Sequence, residues 1–211
     1  MAPLKKQTRN PKSVRTCLIA NAQLPTRWGR FRVLGFQSGD GAESAVALVM
    51  GRPARARAPL LRIHSQCLTG DVFSSSRCDC GWQLQTALKR IARQKCGILI
   101  YHLQEGRGIG LLNKLQAYEL QDHGSDTVEA NEKLGFEADQ RNYDICADIL
   151  HLLAVRSVSL LSNNPEKFLA LVQRHIRVVK RVPLEMPVSK MTQKYLTTKK
   201  EKLGHLLGRI A

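Results

Sequence analysis

The spacing of apolar positions changes character along the chain. Residues 29–37, 45–50 and 60–65 read as strands, short and rich in branched and aromatic side chains. From Gly81 the period lengthens: Leu84, Ala87, Leu88, Ile91 and Ala92 recur as they do on a helix that buries one face. Residues 96–103 form a continuous apolar run, suited to a strand covered on both sides. A second helix is predicted after Gly110, with Leu111, Leu115 and Tyr118 on one face, and a third over residues 144–153. Residues 158–161 read as a buried strand. Asn164-Pro165 then opens a helix, because Asn caps free N–H groups and proline suits the first turn. A strand over 176–182 closes the core, and Pro183 and Pro187 lead into a tail. No internal repeat is present. The pattern predicts an α/β protein, β-rich in its first third and alternating strand and helix in its second half.

At 211 residues the chain is long enough to bury a sizeable core without staples. No apolar run approaches the roughly 18 residues of a membrane span, and the start lacks the apolar stretch of a secretory signal. Charge alters the picture more: 33 Lys and Arg against 17 Asp and Glu give +16. Such a field attracts nucleic acid, acidic membrane surfaces or polyanionic small molecules. Residues 1–39 carry eight bases and no acid, although Pro3 and Pro11 interrupt any amphipathic targeting helix there. Arg52, Arg55, Arg57 and Arg62 form a second basic cluster, and residues 190–209 hold six bases and one acid, Glu201. Most of these read as solvated. The expected division is a disordered basic arm at 1–15, one domain at 16–188 and a basic helical tail at 189–211.

Six cysteines, at 17, 67, 78, 80, 96 and 146, do not form a disulfide pattern, and a reducing, cytoplasmic setting is expected. Cys67, Cys78 and Cys80 have the spacing of a zinc site. Three thiolates leave the fourth tetrahedral position open for catalysis, but His64 could fill it in a structural site. Spacing alone leaves both readings open, beside that of ordinary buried cysteines. Cys96 and Cys146 read as core. A basic zinc protein that binds nucleic acid is a rival class, against which stand the 5% aromatic content and the lack of finger spacing. Between a buried strand and a helix, Gly106, Gly108 and Gly110 space Glu105 and Arg107 in a turn whose backbone can approach an anion. The turn matches neither a dinucleotide fingerprint nor a Walker loop.

These residues belong to longer motifs. Arg62-Ile-His-Ser-Gln-Cys-Leu-Thr-Gly-Asp71, Arg77-Cys-Asp-Cys-Gly-Trp-Gln83, Gln104-Glu-Gly-Arg-Gly-Ile-Gly-Leu111 and Asn113-Lys114 closely resemble GTP cyclohydrolase II. Asp126-Thr-Val-Glu-Ala-Asn131, Leu134-Gly-Phe136 and Asp139-Gln-Arg-Asn-Tyr143 do so too, and the likeness runs from Leu24 to Leu207. The resemblance implies that family's mixed-sheet fold. It also implies a typically homodimeric enzyme using Zn²⁺, one per subunit, and Mg²⁺. The reaction converts GTP to 2,5-diamino-6-ribosylamino-4(3H)-pyrimidinone 5′-phosphate, formate and pyrophosphate, toward riboflavin or a related heterocycle.

By the same resemblance Cys67, Cys78 and Cys80 hold a catalytic zinc whose chemistry is directed at guanine C8. Arg141 attacks the α-phosphorus, Asp139 accepts a proton, and Tyr118 orients a ring-opening intermediate or its water. Arg62, Ile63, His64, Ser65, Gln66, Gln83, Glu105, Gly106, Arg107, Thr127, Ser162 and Lys167 bind GTP. Glu105 is suited to guanine N1–H and N2, and Arg62, Arg107 and Lys167 to phosphates. Two positions depart from the family pattern: Gln66 stands where Glu is common, and Ser162 where Thr is common. The arm exceeds the family's usual start. A zinc-dependent nucleic-acid-binding protein of this fold without turnover is the alternative, nucleic acid otherwise meeting only weak contact from the arm. No membrane partner is expected.

Overall fold

A computed structural model describes residues 16–39, 44–187 and 190–208. The arm at 1–15 lies outside the described residues. Seven strands form one sheet in the order β1-β2-β3-β5-β4-β6-β7. β1 (Cys17–Thr26), β2 (Gly29–Gln37) and β3 (Ser44–Met50) form an antiparallel meander that joins β5 (Gly97–His102). From β5 outward, β4 (Leu60–Ser65), β6 (Ser157–Leu161) and β7 (Arg177–Val182) run parallel. Within the meander short links join antiparallel neighbours, whereas parallel neighbours need a crossover, usually helical. α2 (Cys80–Gln94) links β4 to β5, and α6 (Pro165–Gln173) links β6 to β7.

Both faces of the central strands are covered, which accounts for their continuous apolar runs. On β5, Ile98 and Ile100 enter one core with Leu61 and Ile63 of β4, beneath α5 (Asp144–Leu152). Leu99 enters the opposite core with Leu60 and with Ala87, Leu88 and Ile91 of α2. The predicted α/β class and its central strands agree with the structure to within a residue or two at the ends. Among the described residues no helix is long and apolar enough to cross a membrane.

Three elements lay beyond the periodicity. β1 is solvated over nearly its whole length, with Leu18 and Ile19 exposed, so its side chains carry no burial alternation. α1 (Leu68–Asp71) is a single turn. α4 (Thr127–Lys133) is short, yet a reciprocal cap marks its start: Asp126 accepts from the Val128 and Glu129 amides, and Glu129 accepts from the Asp126 amide. α3 (Leu111–Asp122) turns differently from expectation. Its buried positions are Lys114 and Ala117, while Leu115 is 42% exposed. A lysine on the inward face is intelligible only from what it meets there.

Candidate active site

β4, β5 and β6 end at one edge of the sheet, and the loops that leave them carry Gln66 and Cys67, Gln104 to Arg107, and Ser162 to Asn164. Ligands of parallel sheets bind outside the carboxyl ends of the strands. A cleft opens there whose free space, mouth included, is about 1070 Å³.

The cysteines come together through close packing of α1 on α2. A Cβ on Gly70 would lie 2.7 Å from Cys78 Sγ and 3.2 Å from Cys67 Sγ, so only glycine fits against this cluster. The three sulfurs lie within 4.8 Å of one another, with Cys67 and Cys78 at 3.8 Å. Tetrahedral ligands on zinc at about 2.3 Å stand roughly 3.8 Å apart, so the donor set suits that ion. Contacts from Cys78 and Cys80 hold the Cys67 thiol far below its ordinary range, and contact with Cys67 pushes Cys78 up to about 11 and Cys80 well above the ordinary thiol range. The neighbours thus support one thiolate. Three need a cation. His64 is not the fourth ligand: neither of its ring nitrogens lies close enough to all three sulfurs to share an ion with them, and its Nε2 pairs with the Asp71 carboxylate at 2.9 Å. Asp71 also accepts from the Tyr101 hydroxyl (2.8 Å) and the Cys67 amide (3.1 Å), fixing the turn that carries the first cysteine.

Beside the cysteines, Glu105 is buried and held by three hydrogen bonds, which leave acceptor capacity to spare. It accepts from the Leu68 amide at 2.7 Å, the Gly106 amide at 3.1 Å and Lys114 Nζ at 2.7 Å. Lys114 also donates to Thr69 Oγ1 (3.0 Å) and reaches Cys67 Sγ (3.3 Å). Thr69 Oγ1 in turn lies 3.1 Å from the Tyr118 hydroxyl, which places that phenol one residue's breadth from the sulfurs. Gly106 and Arg107 both take left-handed backbone, at φ +62°. For an arginine this is costly, and such backbone persists where the surroundings demand it.

The opposite wall is cationic. Arg62 donates to the Leu161 carbonyl (3.0 Å) and Gln83 Oε1 (2.5 Å), and Lys167 Nζ donates to the Ile63 carbonyl (3.0 Å). Neither has a carboxylate among these partners. Burial, then repulsion from Arg62 and Arg141, pushes Lys167 well below the usual lysine range. Arg107 Nη2 and Arg62 Nε are buried with no hydrogen-bond partner among the described residues. Orphaned buried donors of this kind mark a place for an acceptor. Arg141 is clamped by Asp139 through Nε (2.8 Å), Nη2 and its own amide (3.1 Å). Burial opposes the charge on Arg141, but Tyr143 and Asp139 outweigh it and hold the guanidinium above its ordinary range.

The structure therefore brings nearly all the expected positions to one cleft: Arg62, His64, Ser65, Gln66, Gln83, Glu105, Gly106, Arg107, Tyr118, Thr127, Arg141, Ser162 and Lys167 line it with the three cysteines. Two sit behind it. Ile63 is core and contributes its carbonyl, and Asp139 backs Arg141. Sequence reasoning missed Lys114, Asp71, Asp79, Tyr195, Lys199 and His205. Lys114 and Asp71 lay in quoted motifs, and Asp79 lies between two cysteines; Tyr195, Lys199 and His205 carry no local signal.

The sequence model of GTP cyclohydrolase II matches residues 17–183. A GTP cyclohydrolase-2 of Haemophilus influenzae (strain PittGG) is 53% identical over 191 residues, covering 90% of this chain and 88% of that one. Those of Blochmanniella floridana and Tolumonas auensis are 54% and 55% identical over 190 residues, each covering 90% of this chain and 96% of its own. One solved structure, described as RibBX, a two domain 3,4-dihydroxy-2-butanone 4-phosphate synthase from A. baumannii, overlaps at a TM-score of 0.40 and 18% identity. It covers 72% of this chain and 35% of that one, too slight a likeness to argue from.

Proposed function

The chain belongs to the GTP cyclohydrolase II family, and from that premise we propose how its cleft performs the family's reaction. The protein is a hydrolase that opens the guanine ring of GTP in riboflavin biosynthesis. The observation that carries the mechanism is the meeting of a three-thiolate cluster with a wall of cations in one cleft.

Cys67, Cys78 and Cys80 would hold zinc, which when bound supplies the Lewis acidity for hydrolysis at guanine C8. Glu105 holds α1 and Lys114 in place, and its carboxylate is the group suited to the guanine N1–H and N2 edge. Arg62, Arg107 and Lys167 take the phosphates, their unspent donors and their want of carboxylate partners supporting that role. The second chemistry falls to Arg141. As Arg141 attacks the α-phosphorus, its guanidinium proton passes to Asp139 along the existing hydrogen bonds, the α–β phosphoanhydride bond breaks and pyrophosphate leaves. Water then cleaves the N–P bond to free the 5′-phosphate and return Arg141. Tyr118, fixed through Thr69, orients the ring-opening step. Mg²⁺ enters with the triphosphate, which is its usual mode of binding.

The enzyme acts in the cytoplasm, a reducing setting that suits the thiols of its cysteine cluster. It acts as a homodimer, a state supported by the bare outer strand β1, where Leu18 is 48% and Ile19 65% exposed. Sedimentation of the wild type and of Ile19→Lys tests the dimer. Incubation with GTP and Mg²⁺, following formate, pyrophosphate and bound zinc together, tests the mechanism. Formate release from a folded, zinc-free protein would refute it.

A further inference from the structure

The family match ends at residue 183, but the chain continues back over the cleft. α7 (Lys190–Glu201) and the turn after it are fastened at four places. Lys199 Nζ pairs with Asp79 Oδ1 at 2.7 Å. Lys202 pairs with Asp126 and, at 2.9 Å, with Glu129. The Leu206 amide donates to the Asn163 carbonyl at 2.9 Å, and the Gly208 amide to Glu185 at 3.0 Å. Three anchors adjoin the site: Asp79 separates two metal-binding cysteines, Asp126 precedes Thr127, and Asn163 follows Ser162. Tyr195, Lys199, Leu203 and His205 complete the wall of the cleft.

Lys199 is the unusual member. It is 8% exposed, on a segment whose other bases were expected to be solvated. A buried ammonium needs compensation, and Asp79 with the Tyr195 ring 4.3 Å away provides it. Yet Asp79 takes only one of three N–H donors. The same carboxylate accepts from Gln83 at 2.5 Å, and Gln83 accepts from Arg62. One carboxylate thus holds two cations, Lys199 directly and Arg62 through an amide. Lys199 also shares the electrostatic neighbourhood of the phosphate-facing residues. The half-buried His205 imidazole is kept neutral by desolvation and by the combined charges of Lys199, Lys167, Arg141 and Arg107. Around this cleft Arg62, Arg107, Arg141, Lys167 and Lys199 face two paired carboxylates, Asp79 and Asp139. The excess is positive.

We propose that Lys199 is a triphosphate-binding residue, carried to the nucleotide by the C-terminal helix and oriented by Asp79. The proposal rests on the reading of the cleft as a GTP site. It is tested by equilibrium binding of α,β-methylene-GTP and of GMP, both with Mg²⁺, to the full-length zinc-loaded protein. Lys199→Met is expected to weaken the triphosphate about tenfold to a hundredfold, the usual range for a charge-assisted contact, while GMP changes less than threefold. Lys199→Arg should recover most of the loss. Because Lys199→Met strands the Asp79 carboxylate, the double variant Asp79→Asn/Lys199→Met is measured beside it. It removes the pair as a unit and should show the same selective loss. Unchanged triphosphate affinity in both variants would overturn the proposal. So would parallel loss of triphosphate and GMP in both, the signature of a merely structural strap. Failure of the wild type to bind either probe would refute the GTP reading itself, and this proposal with it, a result distinct from any failure confined to the variants.

Discussion

Gly70→Ala tests whether the cysteine cluster is built as a metal site. In most helical turns this change is favourable by up to about 1 kcal/mol, since alanine loses less backbone freedom on folding. Gly70 lies in α1 with φ outside the left-handed range, so its backbone would accept alanine. Its surroundings would not. The added Cβ would meet Cys78 Sγ at 2.7 Å, Cys80 Cβ at 3.1 Å and Cys67 Sγ at 3.2 Å. Carbon contacts relax near 3.5–4.0 Å, so the Cys78 sulfur must retreat by roughly 1 Å. A zinc site tolerates only about 0.2 Å of error in its bond lengths. Overpacking of about 1–3 kcal/mol then reverses the usual sign, and the cost falls on the ligands. The expected result is a folded protein with a lowered melting temperature and substoichiometric zinc after dialysis against a chelator. Formate production should fall with the zinc. Gly35→Ala is the control, because its Cβ would meet Ala20 at an ordinary 3.6 Å and should leave zinc intact. Wild-type zinc affinity in Gly70→Ala would refute the packing argument.

Four further outcomes are expected. Glu105→Gln should lower kcat/KM for GTP by about 1–3 kcal/mol and narrow the preference for GTP over ITP, which lacks the N2 amino group; an unchanged GTP/ITP ratio removes Glu105 from base reading. Cys78→Ser should lose zinc and formate production yet still release pyrophosphate, whereas Arg141→Ala should keep zinc and lose pyrophosphate release; simultaneous assay of all three distinguishes the two chemistries. Burial raises the pKa of Asp79 and Asp139, but Lys199 and Arg141 outweigh it and hold both below the ordinary range. Their contribution to stability is therefore complete above about pH 4 and lost as the pH falls through the depressed folded values, so Asp139→Asn should flatten the acid limb of a melting-temperature profile. Deleting residues 1–15 should leave kcat for GTP unchanged and reduce non-specific RNA binding in low salt; a collapse of kcat would place the arm at the active site.

What the sequence makes legible here depends on how local the signal is. Cys67, Cys78 and Cys80 announce themselves by spacing, and the turn at Glu105 to Arg107 by its glycines. The central strands are readable because both faces are buried, so nearly every position is apolar. β1 fails the same test for the opposite reason: held by backbone pairing to β2 and wet on its side chains, it carries no alternation. On α3 the inward lysine defeats a rule that assigns the apolar face to the core. Lys114 is buried because Glu105, nine residues earlier, and Thr69, far back in the chain, lie in wait for its ammonium. Lys199 is the same case over a longer separation. A residue whose role is set by a partner 120 positions away, as Lys199's is by Asp79, has no local pattern to betray it.

The net charge of +16 poses a question that composition alone cannot answer: why a folded chain would keep cations inside. Arg62, Lys114, Lys167 and Lys199 are each at most 8% exposed. Lys114 and Lys199 are matched by carboxylates, but Arg62 and Lys167 rely on carbonyl and amide oxygens. Neutral acceptors satisfy donors without cancelling charge, so the mutual repulsion of these cations is left standing in the folded protein. Burial first, and this repulsion after it, depresses Lys167 and keeps His205 neutral. A polyanion entering the cleft relieves the repulsion, and by linkage whatever it relieves appears as binding free energy. The site is thus strained toward its ligand in charge as Arg107 is in backbone. The sheet, with two apolar cores behind the cleft, supplies the stability that lets both strains persist.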